Sequence, residues 1–175
     1  PPPHAAQLHA ALRARHGSMA PLFDLMAHCA AQTAAVLNGT LPGIEVLFSE
    51  HALPLFRAGS AVILEHSRMR IQHQLLRVLT EHWLATLDAA PRNEPLRILE
   101  VGAGEGHVAW TLAPVLAGHD VEYHYTDIGR SFVASAAREA ATRGINFMHF
   151  ATLDLEQDLG AQQFADASID MVLAF

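Results

Sequence analysis

Lysine is absent from this chain of 175 residues, and all eleven basic residues are arginine. Genomic base composition accounts for such a bias without any functional demand. Eighteen acidic residues outweigh the arginines and leave a net charge of −7. That balance speaks against a nucleic-acid backbone as the main partner, and no nucleic acid is expected. Cysteine is nearly absent as well. The single Cys29 excludes an internal disulfide. It falls in a helical apolar pattern, reads as a buried structural thiol and is compatible with a reducing, cytoplasmic compartment. No apolar run reaches the length of a membrane span, so no membrane partner is expected. The opening Pro1-Pro-Pro-His-Ala-Ala lacks the basic start and continuous apolar core of a secretory signal.

Histidine, by contrast, is plentiful. The twelve histidines are scattered from His4 to His149, and none forms an H-x-x-x-H pair with a nearby acid, so no metal site is expected. Half the residues are hydrophobic (51%), enough for a substantial core. The length suits one domain, or one domain with an appendage.

The most informative stretch is 96–106, Leu-Arg-Ile-Leu-Glu-Val-Gly-Ala-Gly-Glu-Gly. It reads as a short buried strand, an acid, and a glycine-rich turn, with a helix following from about Glu105. A strand-to-helix turn aims free backbone N–H groups into a crevice, and glycines let a ligand approach the backbone. This is the layout of a nucleoside pocket in an open α/β sheet. The glycines Gly102, Gly104 and Gly106 form G-x-G-x-G, and His107 stands where a dehydrogenase would have its third glycine. Glu100 lies two residues before the first glycine, where it would repel a pyrophosphate but suit a ligand carrying an amine and ribose hydroxyls. The acid followed by G-x-G-x-G resembles the S-adenosylmethionine site of Rossmann-like methyltransferases. A nicotinamide oxidoreductase is disfavoured by the same spacing.

Three more strands follow in the reading. Residues 121–127 alternate and end in Asp127, which lies 23 residues after Gly104 and is placed to accept hydrogen bonds from ribose hydroxyls. Residues 145–150 read as a third strand leading to Asp154, placed to take a hydrogen bond from an adenine amino group. Residues 168–175 read as a fourth. Between them, 107–116 and 130–143 read as crossover helices, with Pro114 as a possible early end to the first and Gly144 as the stop of the second. Strands separated by helices imply a parallel sheet.

Ahead of a proline-containing linker at 89–95 the chain reads as helical. Helices are expected over 4–16 and 20–37, and one long helix or two over 60–87. Residues 41–50 read as a loop or short extended piece. The apolar positions Leu22, Phe23, Met26, Cys29, Ala30, Val36 and Leu37 of the second helix are expected in the core. So are Leu64, Met69, Ile71, Leu75, Leu76, Val78, Leu79, Trp83 and Leu84 of the last stretch.

The stretches "LPGIEVLF", "LFRAGSAV", "LRILEVGAGEGH", "YHYTDIGRSFVASAARE" and "FATLDLEQDLGAQQFADASIDMVLAF" resemble the C-methyltransferase domains of modular type I polyketide synthases. The similarity runs from about Ala20 to Phe175. It implies an α/β fold with a helical lid subdomain at 1–88, the linker at 89–95, and a Rossmann-like core at 96–175 made of four parallel strands with crossover helices. In that family S-adenosylmethionine methylates the α-carbon of a β-ketoacyl chain tethered to an acyl carrier protein. The resemblance implies a cofactor pocket lined by Glu100, Gly102, Ala103, Gly104, Asp127, Ile128, Asp154 and Leu155. It also implies partners: the acyl carrier protein and neighbouring synthase domains.

Two departures qualify the match. The stretch at 59–66 lacks the tyrosines the family shows there. The family core continues past a fourth strand, and its catalytic histidine with its acidic partner lies beyond that point. No residue here is carried over as the base, and His107 and His124 read as structural. The core is thus expected to be truncated after its fourth strand, as a fragment, as the first part of a split domain completed by another polypeptide, or as a degenerate domain, and not to be catalytic by itself. Two alternatives remain open: a degenerate, non-catalytic scaffold within a synthase, and an O-methyltransferase domain.

Overall fold

A computed structural model describes residues 3–66, 68–87 and 93–174. Five helices come first: α1 (Pro3–Arg15), α2 (Ala20–Leu37), α3 (Gly43–Phe48), α4 (Leu53–His66) and α5 (Arg68–Leu87). Strands and helices then alternate through β1 (Leu96–Val101), α6 (His107–Leu116), β2 (Val121–Asp127), α7 (Arg130–Arg143), β3 (Met148–Thr152) and β4 (Met171–Ala174). Two units result, Pro1–Gln72 and His73–Phe175, with the boundary inside α5. Residues 89–92 of the expected linker lie outside the described residues, as does Phe175 at the end of the expected fourth strand.

In the first unit Pro21 sits in the opening turn of α2, where its missing N–H costs nothing. Gly39 ends the helix in the left-handed region, with its N–H on the Val36 carbonyl. Helices α2 and α4 meet where Leu25 is buried against Gly59; a Cβ on that glycine would lie 2.7 Å from Leu25 Cδ2. Arg13 and His9 of α1 both reach Asp24 of α2. Residues 43–48, expected as loop or extended, are helical. Pro42 holds an extended conformation before the first turn, Glu45 places its charge near the helix N-terminus, and Val46 is buried. Phe48 packs edge-on to Phe56 at 4.9 Å. Over the expected run 60–87 the described residues 60–66 and 68–87 are helical, α4 beginning earlier at Leu53.

The second unit is built on a four-stranded, wholly parallel sheet in the order β3-β2-β1-β4. The register aligns Ile98, Tyr123, Met148 and Met171 in one row, and Leu99, His124, His149 and Val172 in the next. Neighbouring rows face opposite sides of the sheet. The first row belongs to the main core, with Leu96, Val121 and Tyr125 from the strands, Val108, Ala109, Leu112 and Leu116 from α6, Ala136 from α7 and Leu84 from α5. Leu76, Trp83 and Leu87 pack around it. Pro114 lies in the last turn of α6, which runs on to Leu116. The expected core is corrected at several positions: Met26, Leu37, Ile71, Leu75, Val78 and Leu79 are all exposed. One helix face accommodates three or four apolar residues per two turns, and these helices carry more apolar residues than one face holds. Cys29 is half-buried.

The third strand starts at Met148, three residues later than the apolar run. Gly144 and Ile145 still belong to the end of α7, their N–H groups bonded to Ala141 and Ala140 carbonyls. From β3 the chain returns through 153–170 to place β4 on the other side of β1, so strand order reverses at β1. The crevice at the carboxyl ends of β1 and β4 is the usual ligand position in such sheets.

Candidate nucleoside-binding site

Because the strands are parallel, the residues after β1, β2 and β3 all emerge at one edge of the sheet. The turn after β1 favours glycine at three positions. Gly102, Gly104 and Gly106 have φ of +66°, +56° and +78°. At Gly106 a Cβ would also stand 2.5 Å from Trp110 Nε1, the nitrogen that donates to the Glu105 carbonyl at 3.1 Å. At Gly102 nothing lies within 4 Å of a Cβ position, so this part of the turn faces open space.

Strand β2 holds the turn in place. The Ala103 N–H donates to the Thr126 carbonyl at 2.9 Å. The Tyr125 hydroxyl donates to the Gly104 carbonyl at 2.7 Å. Asp127 bridges two turns: Oδ2 accepts the Gly104 N–H at 2.9 Å, and Oδ1 accepts the Gly129 N–H at 2.7 Å. The Asp127 carbonyl in turn accepts the Leu153 N–H at 3.1 Å, linking the ends of β2 and β3.

Glu100 is fully buried. Its carboxyl receives the Tyr123 hydroxyl at 2.8 Å and the backbone N–H of Ala109 in the first turn of α6. Burial pushes its pKa up to about 7, against the opposing pull of those two hydrogen bonds, with the nearby Asp127 charge adding to the rise. It thus supports the glycine turn from behind. Burial lowers the pKa of His107, which opens α6 beside the turn, and a neighbouring His73 lowers it further.

The structure brings Gly102, Ala103, Gly104 and Asp127 together by these bonds, with Glu100 beneath them. Ile128 and Leu155 each follow an acid at a strand end, and they are 72% and 63% exposed. Asp154 is half-buried, its Oδ1 accepting the Glu156 N–H at 2.9 Å. Sequence reasoning missed Tyr123, Tyr125, Trp110 and Gln162. The tyrosines carried a signal, since they alternate in β2 on the row-face shared with Glu100, whose strand partner is Tyr125. Among the described residues no three His, Cys, Asp or Glu side chains converge into a metal-sized cluster. No described helix is long and apolar enough to cross a membrane.

Known proteins resemble this chain in sequence and fold. Residues 99–175 match the family model described as a methyltransferase domain. The non-reducing polyketide synthase tazA of Aspergillus terreus is 35% identical over 148 residues, covering 80% of this chain and 6% of the synthase. The crystal structure of DszA carbon methyltransferase superposes with a TM-score of 0.78 at 27% identity, covering 97% of this chain and 43% of that one. The citrinin polyketide synthase CMeT domain gives 0.70 at 25% identity, covering 95% and 42%. The chain therefore spans under half the length of these solved domains and a small part of the synthase.

The class defined by the fold is that of the Rossmann-like methyltransferases. Within it the chain resembles the carbon-methyltransferase domains of polyketide synthases, as the motifs led one to expect.

Proposed function

We propose that this chain carries the S-adenosylmethionine site of a polyketide synthase methyltransferase that acts on the α-carbon of a β-ketoacyl chain held by an acyl carrier protein. The observation that carries the reading is Asp127. Its carboxylate is tied to the glycine turn through Gly104 and to the next turn through Gly129. Each oxygen keeps acceptor capacity beyond its one backbone N–H, enough to take both hydroxyls of a ribose.

The residues fit the cofactor part by part. The backbone of Gly102, Ala103 and Gly104 would approach the amino-acid end, with no side chain of Gly102 or Gly104 in the way. Glu100 lies buried behind that turn and supports it. Ile128 and Leu155 would flank the adenine, and Asp154 would accept from its amino group. The cofactor supplies an electrophilic sulfonium methyl when bound. The α-carbon of a β-ketoacyl thioester is acidic because two carbonyls share its negative charge, so the protein has to orient it in line with the methyl and remove one proton. No residue of this chain is assigned as that base. Residues 1–88 would serve as the lid, 89–95 as the linker and 96–175 as the cofactor-binding core, next to other synthase domains.

The test is calorimetric titration of S-adenosylmethionine into the chain and into Asp127→Ala, with circular dichroism to confirm folding. Saturable binding that weakens about 30-fold or more in the variant is expected, the loss of hydrogen bonds to a charged acceptor. A folded wild type that takes up no ligand overturns cofactor binding by this chain.

A further inference from the structure

The connection from β3 to β4 contains a short 3₁₀ turn, Gly160–Gln162. Gln162 turns its side-chain amide back onto Asp154, eight residues earlier. Its Oε1 accepts the Asp154 backbone N–H at 2.9 Å, and its Nε2 donates to the Asp154 carbonyl at 2.9 Å and to the Asp158 carbonyl at 3.2 Å. Only this orientation of the amide pairs acceptor with N–H and donor with C=O. One glutamine thus brackets the main chain of a single residue as a neighbouring strand would.

The bracket has a consequence for the Asp154 carboxylate. Oδ1 is committed to the Glu156 N–H at 2.9 Å. On the N-terminal side Leu153 is buried and bonded through its N–H to the Asp127 carbonyl. The main chain is thus held on both sides and one carboxylate oxygen is committed, which leaves Oδ2 to meet a ligand.

We infer that Gln162 is a positioning residue for recognition of the base: by bracketing the Asp154 main chain it aims Oδ2 at the exocyclic amine of a 6-aminopurine and so sets a preference for adenine over a 6-oxopurine. The inference rests on the cofactor reading above and deepens it. A 6-oxo group presents an acceptor where adenine presents a donor, and the adjacent N1 becomes a donor instead. A carboxylate free to move follows the donor to N1, whereas a carboxylate held in one direction meets an acceptor and repels it.

The experiment measures calorimetric dissociation constants for S-adenosylhomocysteine and its 6-oxo analogue S-inosylhomocysteine. The proteins are the wild type, Gln162→Ala, Gln162→Glu and Asp127→Ala. The wild type is expected to prefer the adenosyl ligand by about 10- to 100-fold. In Gln162→Ala the ratio should fall to within about 3-fold, and likewise in Gln162→Glu, which keeps an acceptor but loses both donors. Asp127→Ala should weaken both ligands and preserve the ratio, because the ribose is common to them. Amide hydrogen exchange over 153–158 reports, without ligand, whether the bracket has opened. An unchanged ratio in Gln162→Ala with faster exchange there overturns the inference and leaves Gln162 a purely structural residue. A wild type that binds both ligands equally also overturns it, while the cofactor reading stands. A folded wild type that binds neither ligand overturns the cofactor reading and this inference with it.

Discussion

Glu100 shows how one side chain links burial to pH. Its carboxyl titrates near 7 in the folded chain, against 4.5 for an unperturbed glutamate. Between those values the folded state binds more protons than the unfolded one, so stability falls as pH rises through this window. The group's stabilising contribution is complete below about pH 4.5 and gone above about 7, a span of about 3 kcal/mol. Glu100→Gln keeps an oxygen to accept from Tyr123 or Ala109 and abolishes the titration. Thermal melts between pH 5 and 8 should therefore show a steeper decline in the wild type than in Glu100→Gln. Coinciding slopes would mean that Glu100 is not held protonated by burial. His107 and His124 act in the opposite sense, because burial lowers both and their neutral forms are lost on acidification. They are common to both proteins and cancel in the difference.

The glycine turn and the helix it opens form a unit at the next scale. Gly106 caps α6 with φ +78°, and Trp110 occupies the space a side chain would need. That indole cannot swing away easily. It is bonded to the Glu105 carbonyl, stacked on Tyr125 at 6.3 Å, and covered by the Arg143 guanidinium at 4.7 Å. Gly106→Ala should cost about 2–4 kcal/mol, combining backbone strain with the clash. Gly144→Ala is the matched control, since φ is +70° but nothing lies within 4 Å of the added Cβ. It should cost only about 1–2 kcal/mol. Urea denaturation of the two variants measures the difference, and equal losses would remove the Trp110 clash from the account.

Elements were legible wherever local pattern decides them. The short buried run of β1, the G-x-G-x-G turn, the alternation and terminal acid of β2 and the alanine-rich α7 stopped by Gly144 all announce themselves within a few residues. Features that depend on partners distant in sequence did not. Residues 41–50 read as a loop or short extended piece until the burial of Val46 reveals a short helix. Nothing local separates Leu84, which is buried, from Leu79, which is exposed. The pairing of Tyr123 with Glu100 needs the β1–β2 register, and Gln162 is one polar residue in a polar connection until its amide is seen on Asp154.

At the scale of the molecule, the order β3-β2-β1-β4 has a kinetic consequence. Pairing of β1 with β2 joins residues such as Arg97 and Glu122, 25 apart in sequence, whereas the Arg97 N–H reaches the Asp170 carboxylate across 73 residues. Closing the longer loop costs about 1 kcal/mol more in chain entropy, and it is offset only after the three earlier strands are in place. The β4 contacts should accordingly form after the folding barrier has been crossed. Asp170→Ala, which removes the carboxylate that accepts the Arg97 N–H, should speed unfolding by roughly 5- to 10-fold and leave the refolding rate almost unchanged. Stopped-flow traces in urea decide this, and slower refolding would place β4 in the nucleus instead. The last strand to be threaded would then act as the latch on the lifetime of the folded sheet, governing how long it persists and not how fast it is made.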